Sequence, residues 1–203
     1  MDFLFDLSNM SQEEEFTDSK EDILKFLKVI GVDTRFVSYT PSKLYINNLR
    51  FSKFSRTREK TFYKHYPNIK VVRSSLFMKN CSKASRILSN DLNPDDKLLV
   101  PENEFLKIIL EPYTRKYGVK LIYSGSNYNL KVSPLILDDE VNNIFSDIFA
   151  GKGIDFTRRN DNTVYPLLTV EKEWILSFCE SENIVFEDNF KENKLSSAFM
   201  EKI

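Results

Sequence analysis

The sequence predicts an α/β protein built on a parallel sheet with helices on both faces. Three observations carry that expectation. Residues 104–184 alternate apolar residues at helical spacing with short β-rich runs, in the order helix, strand, loop, helix, long polar loop, extended segment, helix. Glycines stand where helices have to end, at Gly31, Gly118 and Gly151. Hydrophobic residues make up 41% of the 203, enough for one sizeable core.

Taken in order, residues 1–20 form an acidic arm, with Asp2, Asp6, Glu13, Glu14, Glu15 and Asp18 among polar spacers; composition predicts flexibility. Residues 19–30 carry Ile23, Leu24, Phe26, Leu27 and Ile30 on one stripe, which predicts a helix capped by Ser19 or Asp18 and closed by Gly31. Residues 33–39 and 44–46 read as strands. They belong to an N-terminal α/β portion, 21–90, expected to continue the same sheet, with a small separate module as the alternative. Residues 82–88 read as a short helix, and 90–96 as a turn and the clearest boundary. Asp91, Asp95 and Asp96 lack the spacing of an EF-hand, so they read as a solvated loop. The C-terminal portion, 91–203, is expected to complete the same domain. It enters through Leu98-Leu99-Val100 and continues into a helix from Glu104 that Pro112 interrupts. Residues 119–123 form a strand ending in a polar turn. Ligands of open parallel sheets sit at the carboxyl ends of strands, which makes Ser124, Gly125 and Ser126 a candidate site. An amphipathic helix over 135–150 follows, then a polar loop with Arg158 and Arg159, an extended segment 164–168, and a helix capped by Thr169 that holds Phe178 and Cys179. Residues 184–186 read as a last strand and 196–203 as a short docking helix.

Net charge is −1, yet the charge is unevenly distributed. Between Lys43 and Arg86 cations are dense and Glu59 is the only acid; Tyr45, Phe51, Phe54, Phe62, Tyr63, Tyr66 and Phe77 interleave with them. Cations neutralise phosphates and aromatic rings stack on unpaired bases, so Arg50, Lys53, Arg56, Arg58, Lys60 and Lys64 are candidate RNA contacts. The alternative is that the rings are core and the cations a solvated face. His65, the only histidine, has no carboxylate partner in the sequence pattern and reads as structural or as a phosphate contact. Cys81 and Cys179 are too far apart and too few for a disulfide framework or a cysteine zinc site, which suits a reduced intracellular setting. No cofactor or metal motif is present, nor a hydrolase, P-loop or dinucleotide signature. No run of about twenty apolar residues suggests a membrane span.

Tyr123-Ser124-Gly125-Ser126, Gly151-Lys152-Gly153, Tyr165-Pro166 and Lys172-Glu173-Trp174-Ile175 fall in an order that resembles the second half of PP-loop ATP pyrophosphatases that modify tRNA. The pattern is most similar to the non-catalytic subunits of cytoplasmic tRNA 2-thiolation complexes, which read LGDS, a helix ending in GRG, and later RP before a helix. Each motif is short, and the likeness covers the last half of the chain. The early SGGxDS-type loop that cradles ATP phosphates is missing, so the resemblance is to a degenerate member with a PP-loop/HUP-like fold. It implies a non-catalytic partner subunit in the cytoplasm, with no cofactor, that binds tRNA and a catalytic PP-loop subunit. Lys152, Arg158 and Arg159 then join the RNA candidates. Two other classes stay open: a nucleotide-dependent RNA-modifying enzyme built around Ser124–Ser126 and 151–153, and an interaction module unrelated to thiolation.

Overall fold

A computed structural model describes residues 19–152 and 162–186. Most of the acidic arm, Arg158, Arg159 and the expected C-terminal docking helix lie outside the described residues. Within them the chain builds two sheets, where the sequence pattern suggested one.

The first layer opens with helix α1, Lys20–Val29. Ser19 caps it: its hydroxyl accepts from the Asp22 N–H at 3.2 Å and donates to the Asp22 carboxylate at 2.7 Å. Gly31 closes it at φ +82. The region expected as a strand from residue 33 is first a 3-10 turn, Thr34–Phe36, because the Asp33 carboxylate takes the Arg35 N–H; only Val37–Tyr39 pairs, as β1. Strand β2, Lys43–Ile46, lies antiparallel to β1 and parallel to β3, Lys70–Val72. Helices α2, Leu49–Ser52, and α3, Arg56–His65, fill the connection.

This sheet is buried on both faces, and its alternation shows how. Leu44, Ile46 and Val71 pack with Ile23, Leu27, Phe54 and Phe62 beneath α1 and α3. Tyr45 and Val72, one residue out of phase, point into the larger core shared with the rest of the chain. The second layer begins with α4, Ser75–Asp91, a helix more than twice as long as the one expected at 82–88. Ser74 caps it, and a stripe of Phe77, Cys81, Ala84 and Leu88 is buried along it.

The four-stranded sheet is all parallel, in the order β5-β4-β6-β7: β4 is Lys97–Leu99, β5 Lys120–Ile122, β6 Leu130–Val132 and β7 Thr163–Val164. Between β4 and β5 run α5, Glu104–Leu110, and α6, Tyr113–Lys116, separated at Pro112 as the sequence indicates. Between β6 and β7 lies α7, Leu137–Phe149, and α8, Lys172–Glu182, follows. A parallel sheet flanked by helices is thus present, compatible with a Rossmann-like arrangement.

Three local expectations are corrected. The turn after β5 leads to β6 and not directly to a helix. Thr169 does not cap α8: Glu171 stands at the cap position, and the Lys172 N–H is taken by Asp138 at the start of α7, 2.8 Å away. Residues 184–186 form no strand; Ile184 is buried, Phe186 packs on Phe105, and Val185 is exposed. No helix among the described residues is long and apolar enough to cross a membrane.

Candidate nucleic-acid interface

The basic segment divides into cations that hold the fold and cations that face outward. Glu59, its single acid, is buried and takes Arg73 at 2.7 Å and Arg56 at 3.2 Å; Arg73 also donates to the Phe54 carbonyl. Lys43 and Lys70 clamp the buried Glu182 of α8 at 2.8 and 3.3 Å. Lys79 sits 3.1 Å over the Trp174 ring. Arg58 donates to the Lys53 carbonyl and lies against Gly31, where an added Cβ would meet its guanidinium at 2.8 Å.

What remains is a narrower surface. Arg56, Lys60 and Lys64 recur every fourth residue along one exposed stripe of α3. Lys60 and Lys64 have no acidic partner among the described residues. Arg50 and Lys53 are exposed on α2 and at its left-handed end. The aromatic residues mostly follow the core alternative: Tyr45, Phe54, Phe62 and Phe77 are buried. Phe51 is the large exposed ring, at 53%. His65 is structural, its ring 4.5 Å from Phe26 and its Nδ1 3.2 Å from the Thr61 carbonyl.

Beside α2 the structure opens a cleft of about 420 Å³ that the local sequence did not announce. The 3-10 turn supplies Arg35 and Phe36; the β2–α2 corner supplies Asn47, Asn48 and Phe51; α4 supplies Ser82, Ser85 and Arg86; the α5–α6 corner supplies Tyr113 and Lys116. Among the described residues, Arg35, Arg86 and Lys116 are its charged lining and no carboxylate lines it. Arg35 is neutralised from outside by Asp33, at 2.7 and 3.0 Å, and this pairing holds the Asp33 carboxyl below its usual range. Lys116 has no carboxylate within salt-bridge distance among the described residues. Its ammonium stands instead 5.2 Å from the Phe36 ring, 5.1 Å from Tyr113 and 5.8 Å from Tyr117. Burial lowers its pKa, and the nearby Arg35 charge lowers it further. Burial likewise pushes the Tyr113 phenol up to about 12, against a hydrogen bond with Ser85. Phe36 and Phe51 meet at 5.2 Å. Asn47 and Asn48 use their oxygens within the fold, accepting from the Ser38 hydroxyl and the Phe51 N–H, each at 3.0 Å; their NH₂ groups are the remaining donors.

The other candidates lie elsewhere. Ser124, Gly125 and Ser126 are exposed after β5, which is the edge strand; the reversal of strand order falls between β4 and β6. The chain then returns to the start of β4, where Asn127 and Asn129 hold Lys97 and Asp96 at 2.6–2.8 Å. Lys152 is exposed at the end of α7 and its N–H donates to the Asp147 carbonyl. Cys81, at the floor of the cleft, and Cys179 are buried thiols; burial raises both, Cys179 to about 12, so neither is a ready nucleophile at neutral pH. No cluster of His, Cys, Asp and Glu among the described residues could hold a metal ion.

No family model matches the chain, and neither a curated protein nor a solved structure does.

Proposed function

We propose that this chain is an RNA-binding, non-catalytic subunit that holds tRNA for a catalytic PP-loop partner during wobble-uridine thiolation in the cytoplasm. The observation that carries the RNA-binding part is a set of outward-facing cations on α2 and α3 together with a basic cleft. Arg56, Lys60 and Lys64 form an exposed stripe on α3, and Arg50 is exposed on α2. Its neighbour Phe51 is an exposed ring lining a cleft that holds three cations and, among the described residues, no carboxylate. Such a surface positions a polyanion by phosphate neutralisation. The thiolation setting rests on the order of the second-half motifs, and a four-stranded parallel sheet flanked by helices is compatible with it. No SGGxDS-type loop occurs in the sequence, so in this reading ATP chemistry belongs to the partner.

Native purification with and without nuclease tests the setting: tRNA and a catalytic PP-loop subunit should co-elute, and recovery of neither would sink it. The RNA surface is tested by Lys60→Glu combined with Lys64→Glu. Both side chains are exposed, so stability should change by less than about 0.5 kcal/mol. Affinity for RNA should fall and the slope of log affinity against log salt should flatten by about 1.5. An unchanged affinity and slope would reduce the stripe to a solvated face. The second reading, an enzyme that takes a free nucleotide, is favoured by one observation, a cleft of about 420 Å³ beside an exposed ring.

A further inference from the structure

We propose that the cleft between the 3-10 turn, α2, α4 and α6 is a pocket for one nucleotide unit, its phosphate held by Lys116 and Arg86 and its base laid on Phe51. This deepens the RNA-binding reading by naming what the cleft accepts, and it also accommodates a free nucleotide.

The argument begins with Lys116. Burial and the Arg35 charge both work against this half-buried ammonium, and among the described residues only three ring faces, and no carboxylate, offset them. Three buried acids elsewhere in this fold, Glu59, Glu111 and Glu182, each have two cations, and the buried Asp96 is held by the Asn93 N–H and the Asn129 amide. Lys116 is the reverse case, a cation whose close partners among the described residues are rings and not acids. Arg86, on the α4 wall, has no acidic partner among the described residues either. Arg35 is already held by Asp33, which leaves Lys116 and Arg86 as the phosphate ligands.

Phe51 supplies the second half of the recognition. Phe51 is 53% exposed, and its ring leans on Phe36, which in turn adjoins Lys116. Cation and base platform are therefore successive neighbours of one ring, the arrangement a nucleotide needs. Stacking on one exposed ring tolerates any base, and the spare NH₂ groups of Asn47 and Asn48 meet the acceptors on a base edge. A volume of about 420 Å³ falls within the roughly 300–1,000 Å³ of small-molecule sites.

The test titrates the full chain with a fluorescein-labelled single-stranded RNA 12-mer (within the roughly 4–16 nucleotides that a single-strand-binding fold covers), with unlabelled UMP and AMP as competitors. Two variants are compared with the wild type, Phe51→Ala and Lys116→Gln, beside the α3 pair Lys60→Glu and Lys64→Glu. Phe51 is exposed, so its variant should keep the wild-type circular dichroism spectrum and melting point. Each cleft variant is expected to weaken RNA binding about tenfold, the size of one lost stack or one lost phosphate contact. Mononucleotides should compete with the wild type and lose that competition in both variants.

If the α3 pair weakens RNA binding while the cleft variants leave it unchanged and mononucleotides do not compete, the RNA surface stands and the pocket is overturned. If UMP or AMP binds, in a manner that Phe51→Ala and Lys116→Gln abolish, but the oligonucleotide does not, the pocket stands for a free nucleotide and the RNA reading fails. If neither binds the wild type, both are wrong.

Discussion

Glu111 shows how one side chain can hold two layers together. It is 7% exposed at the α5–α6 corner and accepts from Lys20 at 2.9 Å, from Arg115 in a two-pronged pair, and from the Tyr39 N–H of β1 at 3.1 Å. Arg115 then donates to the Thr34 and Val37 carbonyls. Burial raises the Glu111 carboxyl, but Arg115 and Lys20 outweigh it and hold its pKa below 4.5. A carboxyl lowered in the folded state stabilises the protein above the unfolded pKa, and that contribution is lost as pH falls through the folded one. Glu111→Ala strands a partly buried Arg115 and should cost about 3–5 kcal/mol near neutral pH. Urea midpoints measured against pH should show the gap between variant and wild type closing below pH 4.5. Gly31 is a second single-residue case. Its φ of +82 disfavours any side chain, and the Arg58 guanidinium, 2.8 Å from the position of an added Cβ, would have to swing aside, so Gly31→Ala should cost about 1 kcal/mol or more in a urea titration. The helix-ending role of Gly31 was legible in the sequence, since local conformation decides it. The role of Arg58 was not: a guanidinium that secures Gly31 and the Lys53 carbonyl looks, in sequence, like one more phosphate ligand.

Elements whose boundaries are set locally were readable, and elements fixed by a distant partner were not. Helix α1 and the break at Pro112 fall where capping and proline chemistry place them. The start of α8 moves because its cap comes from Asp138 on α7. Strand β6 is three residues long, too short for a period-2 pattern, and exists because β4 and β7 pair with it. Helix α4 continues N-terminally of the expected start because Phe77 and Asn80 find partners on α8: Phe77 stacks on Phe178 at 4.9 Å, and the Asn80 amide reaches the Trp174 carbonyl at 3.4 Å. Phe178 also meets Tyr45 at 5.9 Å and Phe105 at 5.8 Å, so the ring joins β2, α4, α5 and α8. Phe178→Ala should therefore cost about 3–5 kcal/mol, toward the upper end because the three neighbouring elements cannot all collapse into the space. A thermal or urea melt would check it; a loss under 1 kcal/mol would mean that the rings repack around the gap.

At the scale of the molecule, the sequence conveyed the α/β class and the charge asymmetry but not the cleft. Phe36, Phe51, Arg86 and Lys116 lie on four separate stretches, and nothing in any one stretch marks it as part of a site. Their meeting depends on how the two sheets are joined, and that joint is itself a testable object. Tyr45 and Val72 of the first sheet enter the core of the second layer, and Glu182 and Glu111 tie the two by charge at opposite elements. Interactions shared across the joint make opening either layer expose the core of the other, which favours a single cooperative transition. Trp174, the only tryptophan, sits at the α4–α8 seam with Lys79 over its ring, so its fluorescence reports the second layer. Far-UV circular dichroism averages both. The two urea curves should superimpose, and Lys43→Ala, which leaves the buried Glu182 with the more exposed Lys70 alone, should shift both by the same amount. A dichroism transition that separates from the fluorescence transition would show that the first sheet melts independently. The cleft would then be formed by two units that meet only part of the time, and its affinity for any ligand would fall in proportion to the joined fraction.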